Sequence, residues 1–399
     1  IMKILLVHNF YGSAAPSGEN MVFEAEKSLL QKNGHDVAVF TRHSDEIRNN
    51  GFAGMLRGAI ATPWNFKMAI AIKKAIADFS PDVIHAHNTF PLISPSIFYA
   101  IGKKVARVLT LHNYRLFCPA AIPLRNGKVC IECIENKTVW PSIRYGCYRN
   151  SRLATLPLAV SVALHRMLGT WTKHVDAFIT LSDFQRTLMA RAGLPDERIY
   201  VKPNFYPGKP SVVPWGKRGE YVVFVGRLSV EKGVNSLLRA WRLWGIEAPA
   251  LKLVGAGELR TELEKMVSGL PVQFIGQVGS SEAQAHIANA RLLVLPSECF
   301  EGFPMVIREA FAFGTPVAVS NIGPLPSIVQ HGKDGVVFEP ENPQSLLNTV
   351  RTAWVTPSLL EELGAGARAE FESKYTEDVN YKILMDIYKK AIASKKSAL

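Results

Sequence analysis

The sequence predicts a two-domain α/β protein. Three observations carry that reading. The chain has 399 residues, enough for two domains of ordinary size. In each half, short apolar runs alternate with helix-spaced runs. Between the halves lies a Pro/Gly-rich stretch, Tyr206 to Gly219, that reads as a linker. At 48% hydrophobic and 20% charged residues, the composition is that of a globular chain and not of a disordered one.

The first half opens as a βαβ unit. Lys3 to His8 is an apolar strand, Asn9 to Asn20 a loop rich in small residues, and Glu19 to Lys32 a helix capped by Gly34. Asp36 to Thr41 is the second strand. The loop offers Gly12 and Gly18 but lacks G-x-G-x-x-G, so a dinucleotide fingerprint is absent. Phe52, Met55, Leu56 and Trp64 stand near Arg57 and Lys67, a combination that suits a membrane interface or, equally, the core. A helix is expected from about Asn65 to Phe79. Pro81 to His87 and Val105 to Leu111 are strands, the second running straight into His112. Histidines at the C-terminal ends of parallel strands sit where such sheets bind ligands.

Cys118, Cys130, Cys133 and Cys147 then appear in the pattern C-x11-C-x2-C-x13-C. Disulfides are disfavoured in a reducing cytoplasm. A structural zinc stapling an irregular insertion is one reading, and four reduced, unliganded thiols the other. Leu153 to Leu164 is charge-free and apolar, too short at twelve residues to span a bilayer. It packs as a core helix or docks on a membrane surface. Ala177 to Ser182, a helix from Asp183 to Ala192 and a strand from Arg198 to Lys202 complete the half.

The second half repeats the rhythm. Its strands are Tyr221 to Val225, Leu251 to Val254, Val272 to Ile275, Arg291 to Leu295, Val317 to Ser320 and Gly335 to Phe338. Helices are expected at Val234 to Trp244, from Glu258, at Ser281 to Ala288 and at Met305 to Phe313. Three more follow, Pro343 to Trp354, Pro357 to Lys374 and Asp378 to Lys396. Two stretches carry chemistry. Arg227-x4-Lys232, bracketed by Gly226 and Gly233, follows the first strand, and Arg with Lys suits phosphate oxygens. Further on, Glu301-Gly302-Phe303-Pro304 leads into a helix bearing Glu309. Pro304 falls where a first helical position is expected. That helix start offers N–H groups to phosphate, and a nearby carboxylate suits sugar hydroxyls. Together they point to a nucleotide-sugar.

Net charge is +12, and all of it lies in the first half: residues 1–210 hold 26 Lys and Arg against 14 Asp and Glu, residues 211–399 hold 20 against 20. No nucleic-acid motif accompanies this excess, which leaves anionic lipid or a polyphosphate substrate as the favoured partner. No apolar run reaches the ~18 residues of a membrane span, and the N-terminus reads as a strand and not as a signal. The protein is expected in the cytoplasm, peripheral on the inner face of the cell membrane.

The Glu-x7-Glu spacing with Gly-Phe-Pro after the first Glu, followed by Ala-Phe-Ala-Phe-Gly-Thr-Pro-Val, resembles retaining glycosyltransferases of the GT-B type, family 4. The resemblance covers essentially the whole chain and is weakest in the cysteine insertion. It implies two Rossmann-like domains facing each other across a cleft: residues 1–208 binding acceptor, 209–376 binding donor, and 377–399 a helix crossing back to the first. By resemblance, the catalytic set is His112, Arg227, Lys232 and Glu301. Arg227 and Lys232 grip the donor diphosphate, Glu301 and His112 lie beside the donor sugar, and Glu309 holds the ribose. Gly18 lets the backbone approach the diphosphate. Gly276 and Val278 sit at the base, and Gly302, Phe303, Pro304 and Met305 lie at the phosphates. The implied function is transfer from an NDP-sugar to a glycan or polyprenyl-diphosphate-linked saccharide in surface-polysaccharide biosynthesis. No cofactor is expected for catalysis, since no Asp-x-Asp motif is present. The alternatives are a non-catalytic GT-B sugar- or nucleotide-binding subunit and a nucleotide-sugar epimerase on the same fold. The first is opposed by the intact Arg-Lys and Glu-x7-Glu sets, the second by the want of recognisable catalytic acids in the first half.

Overall fold

The computed structural model describes residues 1–13 and 17–397. By contact, the chain divides into two units: Ile1–Pro123, Ile131–Pro203 and Asn380–Leu399 form one, and Leu124–Cys130 with Asn204–Val379 the other. Each is built on a six-stranded, all-parallel sheet flanked by helices, an α/β architecture.

The first unit contains β1 (Lys3–Phe10), β2 (Asp36–His43), β3 (Val83–Asn88), β4 (Ala106–Thr110), β7 (Ala177–Thr180) and β8 (Ile199–Val201), ordered β2-β1-β3-β4-β7-β8. β3, β4 and β7 are buried along their whole length, as strands covered by helices on both faces must be. Ile4, Leu6, Val83, Val108 and Ile179 pack against Phe23 and Leu30 of the helix Gly18–Lys32. Leu384, Ile387 and Tyr388 of the helix Glu377–Ser397 join the same core. Each such burial contributes roughly 1.5–3 kcal/mol.

Between β4 and β7 lies a hairpin, β5 (Leu124–Arg125) and β6 (Lys128–Val129), turned by Asn126 and Gly127 with φ of 52° and 76°. That Asn-Gly pair is the usual type I′ turn. By contact, Leu124–Cys130 groups with the second unit and the rest of the cysteine segment with the first.

The second unit contains β9 (Tyr221–Val225), β10 (Ala250–Val254), β11 (Val272–Gly276), β12 (Leu292–Leu295), β13 (Val317–Ser320) and β14 (Gly335–Phe338). Their order is β11-β10-β9-β12-β13-β14. The helix Val234–Trp244 buries Leu237, Leu238 and Trp241 on this sheet, and the Trp241 indole N–H donates to the Pro249 carbonyl at 2.9 Å. This strand order reverses direction between β9 and β12. Loops leaving the C-terminal ends of those two strands therefore diverge and open a crevice, the place where such sheets take ligands.

Two readings from the apolar pattern change. The helix Arg152–Met167 is neither wholly core nor wholly surface: Thr155, Leu158, Ala159 and Val162 are buried, whereas Leu153 is 83% and Met167 77% exposed. Trp64 does not belong to an exposed apolar face. It is half-buried, stacked on His165 at 5.7 Å and set against Tyr99. Phe52, Met55 and Leu56 are exposed, along with Ile60, on the helix Gly51–Ala61.

Candidate active site

The second unit assembles a charged cluster at its switch point. After β9 the backbone runs through Gly226–Ser229 into a single turn, Val230–Lys232, and reaches Gly233 in the left-handed region at φ 67°. A Cβ there would lie 1.8 Å from the Pro296 carbonyl oxygen, so only glycine lets the β9 loop touch the β12 loop. The Glu298 N–H donates to the Glu231 carbonyl at 2.9 Å and stitches the two loops together. Behind them, Gly255 and Gly257 admit the 226–228 backbone. A Cβ on either would meet Gly226 or Leu228 carbonyl oxygen at 1.9 and 2.2 Å.

On this frame the Lys232 ammonium lies 2.6 Å from Glu301 Oε1, and the Ser297 hydroxyl donates to the same oxygen at 2.6 Å. Burial pushes the Glu301 carboxyl up, but Lys232 and Ser297 more than offset that, and it settles below the usual carboxylate range. The Lys232 ammonium, pushed down by burial, is held above its usual range by Glu301. Both groups are therefore charged at neutral pH. Arg227 is 71% exposed and only loosely paired, 4.0 Å from Glu231. Ser236 donates to Glu298 at 2.6 Å, which makes Glu298 a clamp between the β12 loop and a helix.

Phe303 and Pro304 are buried, Phe303 against Tyr375 at 5.7 Å, and they anchor the loop. The helix runs Met305–Ala312, with Pro304 as its N-cap and not its first residue. No side chain caps this end; the Ile307 N–H turns back to the Pro304 carbonyl at 3.1 Å, and the N–H groups of Met305 and Val306 come first on the helix. Glu309 has different surroundings from Glu301. It is buried beside Arg308 and Gln284, and burial, countered by both neighbours, leaves its carboxyl above the usual range. Gly276 closes β11 at φ 87°, with its carbonyl accepting from the Gly255 N–H at 2.8 Å, and Val278 follows half-buried.

In the first unit, His112 lies just past β4, partly exposed. A cavity of about 70 Å³ opens beside it, with His87, Asn88, Asn113 and Arg115 in its lining. Gly18 is the first residue of its helix, and residues 14–16 of the preceding loop lie outside the described residues. Next to it, Glu19 accepts from the Asn113 amide at 2.8 Å. Behind His112 stands a charged cluster that the motifs did not announce: Glu26, His85, His87 and Lys202, all buried. One signal was available. Glu26 falls in the buried stripe of its helix with Val22, Phe23, Leu29 and Leu30, where an unpaired carboxylate is not tolerated.

Of the four cysteines, Cys118, Cys133 and Cys147 belong to the first unit and Cys130 to the second. Among the described residues, Glu26, His85 and His87 form the one group of three ligand atoms within 4.8 Å of one another. Cys118 is buried and its thiol is pushed up to about 12, first by burial and then, among lesser influences, by Cys133 and Cys147.

Comparison with known proteins speaks to the family and the fold. The family model for Glycosyltransferase Family 4 matches residues 19–207, and that for Glycosyl transferases group 1 matches residues 209–370. The chain is a family 4-type glycosyltransferase. It is 25% identical to a sulfoquinovosyl transferase of Arabidopsis thaliana over 94% of this chain and 71% of that one. A D-rhamnosyltransferase of Pseudomonas aeruginosa is 32% identical over 39% of this chain and 42% of its own. The crystal structure of Anabaena HepE in complex with UDP superposes with a TM-score of 0.64 at 19% identity, covering 97% of this transferase and all of HepE.

Proposed function

We propose that this glycosyltransferase moves a sugar, with retention of anomeric configuration, from a nucleoside-diphosphate sugar to a glycan or lipid-linked saccharide in surface-polysaccharide biosynthesis. The observation that carries it is the meeting of Lys232, Ser297 and Glu301 at the β9/β12 switch point. Arg227, largely exposed and only loosely paired with Glu231, stands on the same β9 loop as Lys232, and a helix start without a side-chain cap follows at Met305. A diphosphate entering this crevice exchanges the Lys232–Glu301 contact for its own. Arg227, Lys232 and the helix N–H groups then neutralise the charge that develops as the sugar C1–oxygen bond breaks. Glu301, released from the ammonium, accepts from sugar hydroxyls. The acceptor oxygen bonds to C1, and its proton passes to the departing diphosphate. Retention rests on the resemblance of the Glu301–Glu309 string to retaining enzymes. The donor-binding set is completed by Gly18, Gly276, Val278, Gly302, Phe303, Pro304 and Glu309, with His112 serving the transferred sugar. Since side chains and backbone supply the positive charge, turnover is expected to persist in excess EDTA.

The first unit suits an acceptor held at an anionic membrane. No described helix is long and apolar enough to cross one. Phe52 (78% exposed), Met55 and Ile60 stand beside exposed Arg57, and Phe66 and Ile70 beside exposed Lys67, Lys73 and Lys74. Leu153 and Leu156 lie beside exposed Arg152. Basic residues near an anionic surface contribute ~1 kcal/mol each. Two assays test the proposal. Nucleoside diphosphate release from a panel of NDP-sugars should depend on acceptor, and no release with any donor would sink the transferase reading. Co-sedimentation should occur with anionic but not neutral vesicles and reverse with salt. Indifference to both vesicle types, with full activity on a soluble acceptor, defeats the membrane reading alone.

A further inference from the structure

The cluster behind His112 has a direction. The Lys202 ammonium donates to Glu26 Oε2 at 2.9 Å and to Asn380 Oδ1 at 3.1 Å. On the other side, Glu26 Oε1 lies 3.1 Å from His87 Nε2, and His87 Nδ1 lies 3.1 Å from His112 Nε2. Lys202 and Glu26 are 1% and 0% exposed, so neither charge is relieved by water. A metal ion is a poor fit for Glu26, His85 and His87, because the Lys202 ammonium already supplies the compensating positive charge.

Proton positions follow from what each group can do. An ionised carboxylate only accepts, so His87 Nε2 must carry its hydrogen. Glu26 is already neutralised by Lys202, and a second buried cation at His87 would be uncompensated. His87 is therefore neutral and its Nδ1 is a bare acceptor. The hydrogen between the two rings must come from His112 Nε2. His112, with a single ring hydrogen thus placed, presents Nδ1 as a lone pair. Burial, followed by the neighbouring histidines, holds His112 well below its usual range, which agrees with a neutral ring.

We propose that Lys202, Glu26 and His87 are positioning residues that fix His112 as its Nε2–H tautomer and so present its Nδ1 as an acceptor to a ligand hydroxyl. This rests on the reading that His112 serves the transferred sugar. An imidazole aimed with its lone pair outward accepts a hydrogen bond from a sugar hydroxyl, whereas the opposite tautomer would compete with that hydroxyl as a donor. His85 shares Glu26 Oε1, with its Nδ1 3.0 Å from that oxygen, and is held by two hydroxyls as well. Its Nδ1 lies 2.7 Å from the Tyr388 hydroxyl and its Nε2 2.7 Å from the Thr110 hydroxyl.

The test is the histidine tautomer in the full chain, read from ¹⁵N-labelled imidazoles by long-range NMR, with His112→Gln used to assign the signal. The wild type should show His112 protonated on Nε2 alone at neutral pH. Glu26→Gln by itself strands the Lys202 charge and can fail to fold, so the working variant is Glu26→Gln with Lys202→Met. An amide can donate as well as accept, so the direction of the relay is no longer imposed and His112 should become a mixture of tautomers. His87→Phe, which keeps a ring and removes the acceptor, should do the same. In both, kcat is expected to fall on the order of tenfold with KM nearly unchanged. A wild-type His112 protonated on Nδ1, or one whose tautomer is the same in both variants, overturns the relay. A mixed tautomer with unchanged kcat overturns the positioning role and leaves the transferase reading intact. Since the tautomer is read without substrate, failure to find any donor leaves the relay testable.

Discussion

Two of the molecule's Lys–Glu pairs are of nearly equal length and opposite character. Lys232 and Glu301, 2.6 Å apart, are 26% and 12% exposed and come from two loops at a crevice. Lys202 and Glu26, 2.9 Å apart, are sealed beneath a sheet and fastened by Asn380. The first pair can be opened by an anion that outbids the carboxylate. The second has nowhere to go, since parting it would leave two charges in a medium that cannot solvate them. Contact length alone therefore says little about what an ion pair does. Its access to a competing ligand says more.

The sharpest way to break the contrast is to remove one partner from each pair. Lys202→Ala is expected to cost ~3–5 kcal/mol of stability, because Glu26 is left buried and unpaired. Urea unfolding reads this directly, and a loss below about 1 kcal/mol would mean that water reaches the cluster. Lys232→Ala should instead leave the urea midpoint almost unchanged and lower kcat ~10²–10³-fold, as the loss of a contact to a developing anion does. Arg227→Ala should follow it in direction. Near-normal turnover in both variants would rule out the diphosphate role.

Gly233→Ala probes the frame that brings Lys232 to Glu301. The added Cβ collides with backbone at Pro296, so the loops must part at a cost of about 1–3 kcal/mol. Nucleotide affinity, followed by calorimetry, should weaken more than the global unfolding midpoint shifts. Acid gives the mildest test. Both glutamates sit below their ordinary 4.5, Glu26 much further than Glu301. A depressed carboxylate stabilises the fold in full above that ordinary value and loses its contribution as pH falls through the folded pKa. On acidification, donor binding should therefore fade before the tryptophan fluorescence reports unfolding. Simultaneous loss would place both pairs in one cooperative unit.

The exposed pair was legible in the sequence and the buried one was not, for a physical reason. Lys232 and Glu301 stand in short strings whose glycines and proline declare a loop and a helix start, so local backbone chemistry announced them. Tyr221–Val225 and Val317–Ser320 were equally plain, being β-branched runs between turn residues. Glu26 sits on an ordinary helix and Lys202 just past a strand. What makes them a pair is tertiary packing between segments 176 residues apart. The same holds for the cysteine segment, where the Asn126–Gly127 turn was locally readable but the assignment of that hairpin to the second unit was not. Pro304 moved by one position because a proline can end an extended segment as easily as begin a helix.

The helix Glu377–Ser397 supplies the Asn380 amide to Lys202 and the Tyr388 hydroxyl to His85, and its apolar face completes the first core. On a ribosome, the first unit thus emerges with its charged heart unfinished. It must wait while all of Asn204–Val379 is made, on the order of ten to thirty seconds at ~5–20 residues per second. During that interval a carboxylate, an ammonium and an open hydrophobic face are presented together to the cell. The nascent chain is then a client for whatever shields such surfaces, and the step that ends its vulnerability is the docking of the helix Glu377–Ser397.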